Sequence, residues 1–244
     1  MAPAADSGKH YHRICTGAAL ETVNAHQDPA AEITLFGSCF CPFVQRAWVA
    51  FEYLDIPYKN ITHSFEVEVD PYQKPKELLE VSPKGLVPGL RLNKYDPPRA
   101  VNESTVIMEF LEESVEPKRT PTSAVCFLPN PIHVSPTATA ISPLAKLPLD
   151  ARALVRLQSD HVNRSLIPAF YRYIQAQDET AQIEGGKEFL DAIEGLVSLF
   201  QRAEKEGELS AVGLWRHDGE LGWADVSAGP CAYFRTSDLG TSES

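Results

Sequence analysis

Seven prolines fall between residues 117 and 148: Pro117, Pro121, Pro129, Pro131, Pro136, Pro143 and Pro148. Proline removes a backbone donor and fixes φ, so neither a helix nor a central strand runs through such a stretch. The chain is therefore expected to fold on either side of it. Before the prolines, short apolar runs alternate with helical patterns. After them, apolar residues recur only at helical spacing. The expected organisation is an extension over residues 1–30, an α/β domain over 31–115, a linker over 116–148 and a helical domain over 149–244. At 244 residues, two domains fit the usual allowance of about 150 residues each.

The first domain begins with Ile33, Leu35 and Phe36, a short strand ending at Gly37-Ser38. Cys41-Pro42-Phe43-Val44-Gln45-Arg46 follows. Pro42 suits the first turn of a helix, where its missing N–H has no partner in any case. Phe43, Ala47, Trp48, Phe51 and Leu54 then mark an apolar stripe. A second strand is expected after Ile56, a short helix over 75–81, and a strand through Leu86-Val87-Pro88-Gly89-Leu90. Proline inside a strand pattern implies an edge position or a special bond. A fourth strand at Ala100-Val101 leads to Asn102-Glu103-Ser104, which reads as the cap of a helix through Val106, Ile107, Phe110 and Leu111. In the second half, residues 150–177 read as a helix kinked at Pro168, and residues 183–205 as another.

Cys41 carries the clearest chemistry. A helix start presents unpaired N–H groups and a partial positive charge, and both favour a thiolate. Cysteines so placed can titrate well below the usual value of about 8.5, and the thiolate is the nucleophile. Val44 stands where a dithiol motif would put its second cysteine, so Cys41 would need an external thiol. The competing reading makes Cys41 a small buried side chain. Cys39 reads as a passive loop thiol, with a Cys39–Cys41 disulfide as the alternative. Glu103 and Ser104 read equally well as a plain helix cap, and Val87-Pro88 as an ordinary strand edge.

Composition narrows the partners. The net charge of −11 argues against nucleic acid and against docking on an anionic membrane. No apolar run reaches the length of about 18 residues that a membrane-spanning helix needs, and the N-terminus lacks the pattern of a secretory signal. Five scattered cysteines, Cys15, Cys39, Cys41, Cys126 and Cys231, suit a reducing, cytoplasmic location. His10, His12 and Cys15 are ligand-type residues in the extension, and no metal is assigned to them.

Three motifs in order carry a family resemblance: Cys-Pro-Phe-Val-Gln-Arg (41–46), Ser-Pro-Lys-Gly-Leu-Val-Pro (82–88) and Asn-Glu-Ser-Thr-Val-Ile (102–107). The segment resembles the glutathione-binding domain of cytosolic glutathione transferases, most closely the omega class and its fungal members. Residues 150–206, with Pro-Ala-Phe-Tyr-Arg at 168–172, resemble the second domain of that family. The resemblance implies an α/β thioredoxin-like domain followed by an all-α domain, with glutathione as cosubstrate. It implies that Cys41 forms a mixed disulfide with glutathione and that Phe43 lines the same pocket. Val87 would pair its backbone with the tripeptide, beside a cis Pro88. Glu103 and Ser104 would hold the γ-glutamyl end, and Lys74 or Lys76 the glycine carboxylate. The implied activities are thiol transfer and deglutathionylation, dehydroascorbate reduction, and reactions on small aromatic or disulfide substrates in redox and detoxification chemistry. Phe43, Phe170, Tyr171 and Tyr173 are candidates for an acceptor pocket, or else helix-packing residues. A homodimer stays open, as do a non-catalytic carrier of aromatic molecules and an inactive product.

Two departures from the family stand out. Residues 123–141 look like an insertion. Gly222-Trp223-Ala224-Asp225 resembles the start of the family's buried central helix, with glycine at the cap and an expected stop near Arg235. The resemblance implies that further C-terminal helices are missing, with loss of stability and of the dimer surface.

Overall fold

The computed structural model describes residues 15–62, 76–115, 149–206 and 221–238. The chain divides into two compact units, Met1–Ala140 and Ile141–Ser244. The prolines of 117–148, the segment 123–141, Lys74 and Cys126 lie outside the described residues.

The first unit contains, in order, α1 (Gly17–Ala25), β1 (Ile33–Gly37), α2 (Pro42–Tyr53), β2 (Lys59–Thr62), α3 (Lys76–Val81), β3 (Gly89–Leu92), β4 (Arg99–Asn102) and α4 (Ser104–Val115). The sheet order is β2-β1-β3-β4. β1 runs parallel to β2 and antiparallel to β3, and β4 is antiparallel to β3. This is the thioredoxin-like arrangement expected. β1 is buried along its whole length, and Ile33, Leu35, Phe36, Phe51, Leu78, Leu90, Ile107 and Leu111 form the core around it. The tightest packing is at Gly37, where a Cβ would stand 2.5 Å from Val44 Cγ1. Only glycine lets the end of β1 lie this close to the first turn of α2.

Two differences from the sequence reading, and the stop of α2, have local causes. The part of the extension that is described is helical: α1 buries none of its own side chains, and its exit is tied to β2. Asn60 N donates to His26 O at 2.7 Å, and Gln27 Nε2 donates to Asn60 O at 2.9 Å. β3 begins at Gly89 rather than at Leu86, because the chain turns through Ser82–Gly85, with Gly85 at φ +62°, and passes a cis Val87–Pro88 bond first. α2 ends at Tyr53, where the apolar stripe to Leu54 leads, and Asp55 beyond its cap turns into the left-handed region (φ 52°), with Ile56 N donating back to Phe51 O at 3.1 Å, a Schellman-type stop.

The second unit is all helical among its described residues: α5 (Leu149–His161), a π-helical turn (Val162–Leu166), α6 (Ile167–Gln175), α7 (Glu179–Lys205) and α8 (Trp223–Asp238). The expected kink at Pro168 takes the form of that π turn. Pro168 has no N–H to give to residue 164, and Ile167 N instead reaches back five residues to Val162 O. Asp178 caps α7 by accepting from Ala181 N at 2.9 Å. At α8 the glycine cap is compensated. Asp225 reaches back to accept from Gly222 N at 2.7 Å while Val226 N donates to Gly222 O at 3.1 Å, the return half of a capping box. α8 runs to Asp238, three residues past the expected stop.

Candidate functional site

Strand register determines where the predicted residues meet. Phe36 of β1 pairs with Gly89 of β3, and Gly89 pairs with Asn102 of β4. Gly89 opens β3, Asn102 closes β4, and Phe36 is one residue short of the end of β1. One row across the sheet therefore gathers three segments at one end: the turn 38–41, Val87-Pro88, and Glu103-Ser104.

Cys41 is the N-cap of α2, in extended conformation and half-buried, with Pro42 at the first helical position. Cys41 N donates to Ser38 O at 3.1 Å, and Gln45 N donates to Cys41 O at 3.0 Å. Gln45 also reaches back, its Nε2 donating to Cys39 O at 3.0 Å. The turn is thus held from both sides. The Cys41 side chain makes no capping bond of its own to the helix amides.

Val87 is half-buried against the cluster of Phe36, Leu78 and Val81. Ser82 fixes the approach to it: its Oγ accepts from Leu86 N at 3.0 Å, and its carbonyl accepts from Gly85 N at 2.7 Å. Pro88 is buried beside it. Glu103 is exposed and held at φ 71°, and its carbonyl accepts the first helical bond of α4 from Ile107 N at 2.9 Å. Ser104 is buried. Lys76 is almost fully solvent-exposed and lies 4.0 Å from Glu80. Among the described residues no cluster of three or more His, Cys, Asp or Glu is arranged to hold a metal.

Arg46 is the residue that sequence reasoning passed over. It is 1% exposed, its Nη1 donates to Ser104 Oγ at 3.4 Å, and its guanidinium lies over the Phe43 ring at 5.4 Å. It joins the helix that starts at Cys41 to the helix that starts at Ser104. A faint signal was present: Arg46 shares a helical lane with Pro42 and Ala50, both of which are buried. Cys15 is buried, and burial first, then the influence of the Cys39 thiol, pushes it up to about 12 from 9.0. A separate cavity of 290 Å³ is lined by His26, Glu52, Asp55 and Tyr58, and by none of the predicted site residues.

In the second unit, Phe170 is buried against Phe189, with ring centroids 5.7 Å apart, and Tyr173 stacks on Phe189 at 6.2 Å. These contacts make both of them helix-packing residues between α6 and α7. Tyr171 meets Phe170 edge-on at 5.5 Å.

Residues 40–114 match the family model described as Glutathione S-transferase, N-terminal domain. The first unit has the glutathione transferase N-terminal fold. The chain is also similar over 81 residues, at 36% identity, to pyrimidodiazepine synthase of Drosophila melanogaster. That stretch is 33% of this chain and 31% of that enzyme's length. Among solved structures, glutathione transferase Omega 3C from Trametes versicolor superposes with a TM-score of 0.65 at 28% identity, covering 95% of this chain and 84% of that one. Ure2p in complex with glutathione superposes with a TM-score of 0.59 at 17% identity over 87% and 86% of the two chains, a likeness of fold.

Proposed function

We propose that this chain is a cysteine-type, omega-like glutathione transferase that acts by thiol transfer, with glutathione as cosubstrate. The observation that carries the reading is the row Phe36–Gly89–Asn102, which gathers the Cys41 turn, Val87-Pro88 and Glu103-Ser104 at one end of the sheet. The match of residues 40–114 to the transferase domain and the likeness to the Trametes omega enzyme support it.

Each segment then has a task. The Val87 backbone pairs with the tripeptide in the manner of an added strand. The Glu103 carboxylate faces the γ-glutamyl ammonium, and the start of α4 at Ser104 receives its carboxylate. Phe43 walls the thiol end, and Lys74 or Lys76 meets the glycine carboxylate. The Cys41 thiolate attacks the glutathionyl sulfur of a mixed disulfide, and the substrate leaves as its thiol. A second glutathione thiolate then attacks the Cys41 adduct, releasing glutathione disulfide and regenerating Cys41. Dehydroascorbate, aryl-ketone adducts and small disulfides are the acceptors in this reading, and the compartment is cytoplasmic.

The test is an assay of glutathione release from a glutathionylated peptide, alongside mass spectrometry after exposure to glutathione disulfide. One adduct is expected on Cys41, with turnover lost in Cys41→Ala. Turnover retained in Cys41→Ala overturns the reading.

A further inference from the structure

We propose that the cavity between the exit of α1, the end of α2 and the approach to β2 binds a small organic cation, an ammonium or amidinium group carried on an apolar body. The cavity has a volume of 290 Å³, at the lower edge of the range of about 300–1,000 Å³ usual for small-molecule sites. Its floor is apolar. Phe51, Ile56 and Tyr58 are buried there, and the Tyr58 ring stacks on Phe51 at 4.3 Å and on His26 at 4.2 Å. Its rim is acidic. Asp28, Glu52 and Asp55 are exposed along it, and no lysine or arginine lines the cavity.

The walls select the charge of the ligand. Phe51 and Glu52 lie in the last turn of α2, and a helix C-terminus carries partial negative charge that favours a cation. Tyr58 donates to Glu52 Oε1 at 2.7 Å, and His26 Nε2 lies 3.1 Å from the same oxygen. Oε2 is therefore the oxygen that a cation would take. Asp28 accepts from Ala30 N on Oδ1 at 2.8 Å, which leaves Oδ2 for the same use. The stacked rings give an apolar body dispersion contacts, and ring faces attract a cation further. A bare metal ion fits less well, because among the described residues no three of His, Cys, Asp or Glu converge to hold one. An anion would meet only carboxylates. None of the predicted glutathione-site residues lines this cavity, so the proposal stands or falls separately from the thiol-transfer reading.

Benzamidine, benzamide and benzoate share one shape and carry a positive charge, no charge and a negative charge. The experiment titrates each into the full chain by calorimetry. Saturable binding of benzamidine is expected, with benzamide weaker by about tenfold or more and benzoate not bound. Asp28→Asn and Asp55→Asn each remove one charge and keep the shape. Asparagine retains the acceptor for Ala30 N at position 28 and tolerates the φ of 52° at position 55. Each variant, with a circular dichroism spectrum matching the parent, should raise the benzamidine Kd about tenfold. Asp191→Asn removes the same charge from an exposed position on α7 and should leave that Kd unchanged. No saturable binding of benzamidine, benzamide bound as tightly as benzamidine, or an effect of Asp191→Asn equal to those of Asp28→Asn and Asp55→Asn would each overturn the proposal.

Discussion

Arg46 Nη1 donates to Ser104 Oγ at 3.4 Å inside the first unit, 58 residues apart in sequence. The bond couples the starts of α2 and α4, the two helices whose N-terminal ends border the candidate site. Arg46→Met keeps most of the stem and removes the donor. The expected result is a loss of about 1–3 kcal/mol from the unfolding free energy, read from the urea midpoint. Arg46→Lys should not restore it, because an ammonium lacks the planar fork that both donates to Ser104 and lies over Phe43. A lysine variant as stable as wild type would mean that the guanidinium geometry is immaterial.

Glu103 allows a cap to be told from a ligand-binding residue. It is exposed and sits at φ 71°, a region costing a side-chain-bearing residue about 1–2 kcal/mol. Glycine escapes that cost but gives back about 0.5–1 kcal/mol in chain entropy. Glu103→Gly should therefore leave stability unchanged or raised by up to about 1.5 kcal/mol, while glutathione affinity falls. Calorimetric titration beside a thermal melt checks both. Unaltered affinity would leave Glu103 as a cap alone.

Much of this site is legible in the sequence, because its signals are local. Cys41-Pro42 beside an apolar stripe reads as a helix start. Pro88 inside a strand pattern marks a special bond, and Asn102-Glu103-Ser104 marks the start of α4. What stays hidden depends on distant partners. α1 buries none of its own side chains, and its exit is held by the bond that Asn60 N donates to His26 O and the one that Gln27 Nε2 donates to Asn60 O, each spanning more than thirty residues. Arg46 has its task only once Ser104 at the start of α4 comes within 3.4 Å of it. Of the two readings open to Phe170 in the sequence, the structure shows the helix-packing contact, its ring 5.7 Å from Phe189 of α7.

In the second unit α7 comes close to the backbone of α6 at Gly185. A Cβ there would stand 3.0 Å from Tyr173 Cα and 3.1 Å from Tyr173 N. These are backbone atoms, which cannot rotate away. Gly185→Ala should force α6 and α7 apart and cost about 1–3 kcal/mol despite alanine's better helix propensity. Gly229→Ala is the control, since nothing lies within 4 Å of its Cβ position. Equal melting temperatures for the two variants would show that the α6–α7 contact yields without cost.

Tyr58 gives the first unit a pH signature. Its hydroxyl donates to Glu52 Oε1 at 2.7 Å, and the His26 Nε2 lies 3.1 Å from the same oxygen. Burial first, then the hydrogen bond and the negative charge of Glu52, push the phenol well above its ordinary value of 10.0. The folded state therefore holds this proton more tightly than the unfolded chain does. The stabilisation is fully present below about pH 10 and is lost as pH rises beyond it, where the unfolded chain ionises first. Tyr58→Phe should cost about 1–2 kcal/mol near neutrality by leaving Glu52 short of a donor. It should also flatten the decline of stability above pH 10. The relevant quantity is the difference between variant and wild type at each pH, so that the parallel titration of Cys15 cancels. A difference that stays constant from neutrality into strong alkali would show that the Tyr58 proton is held no more tightly in the fold than out of it.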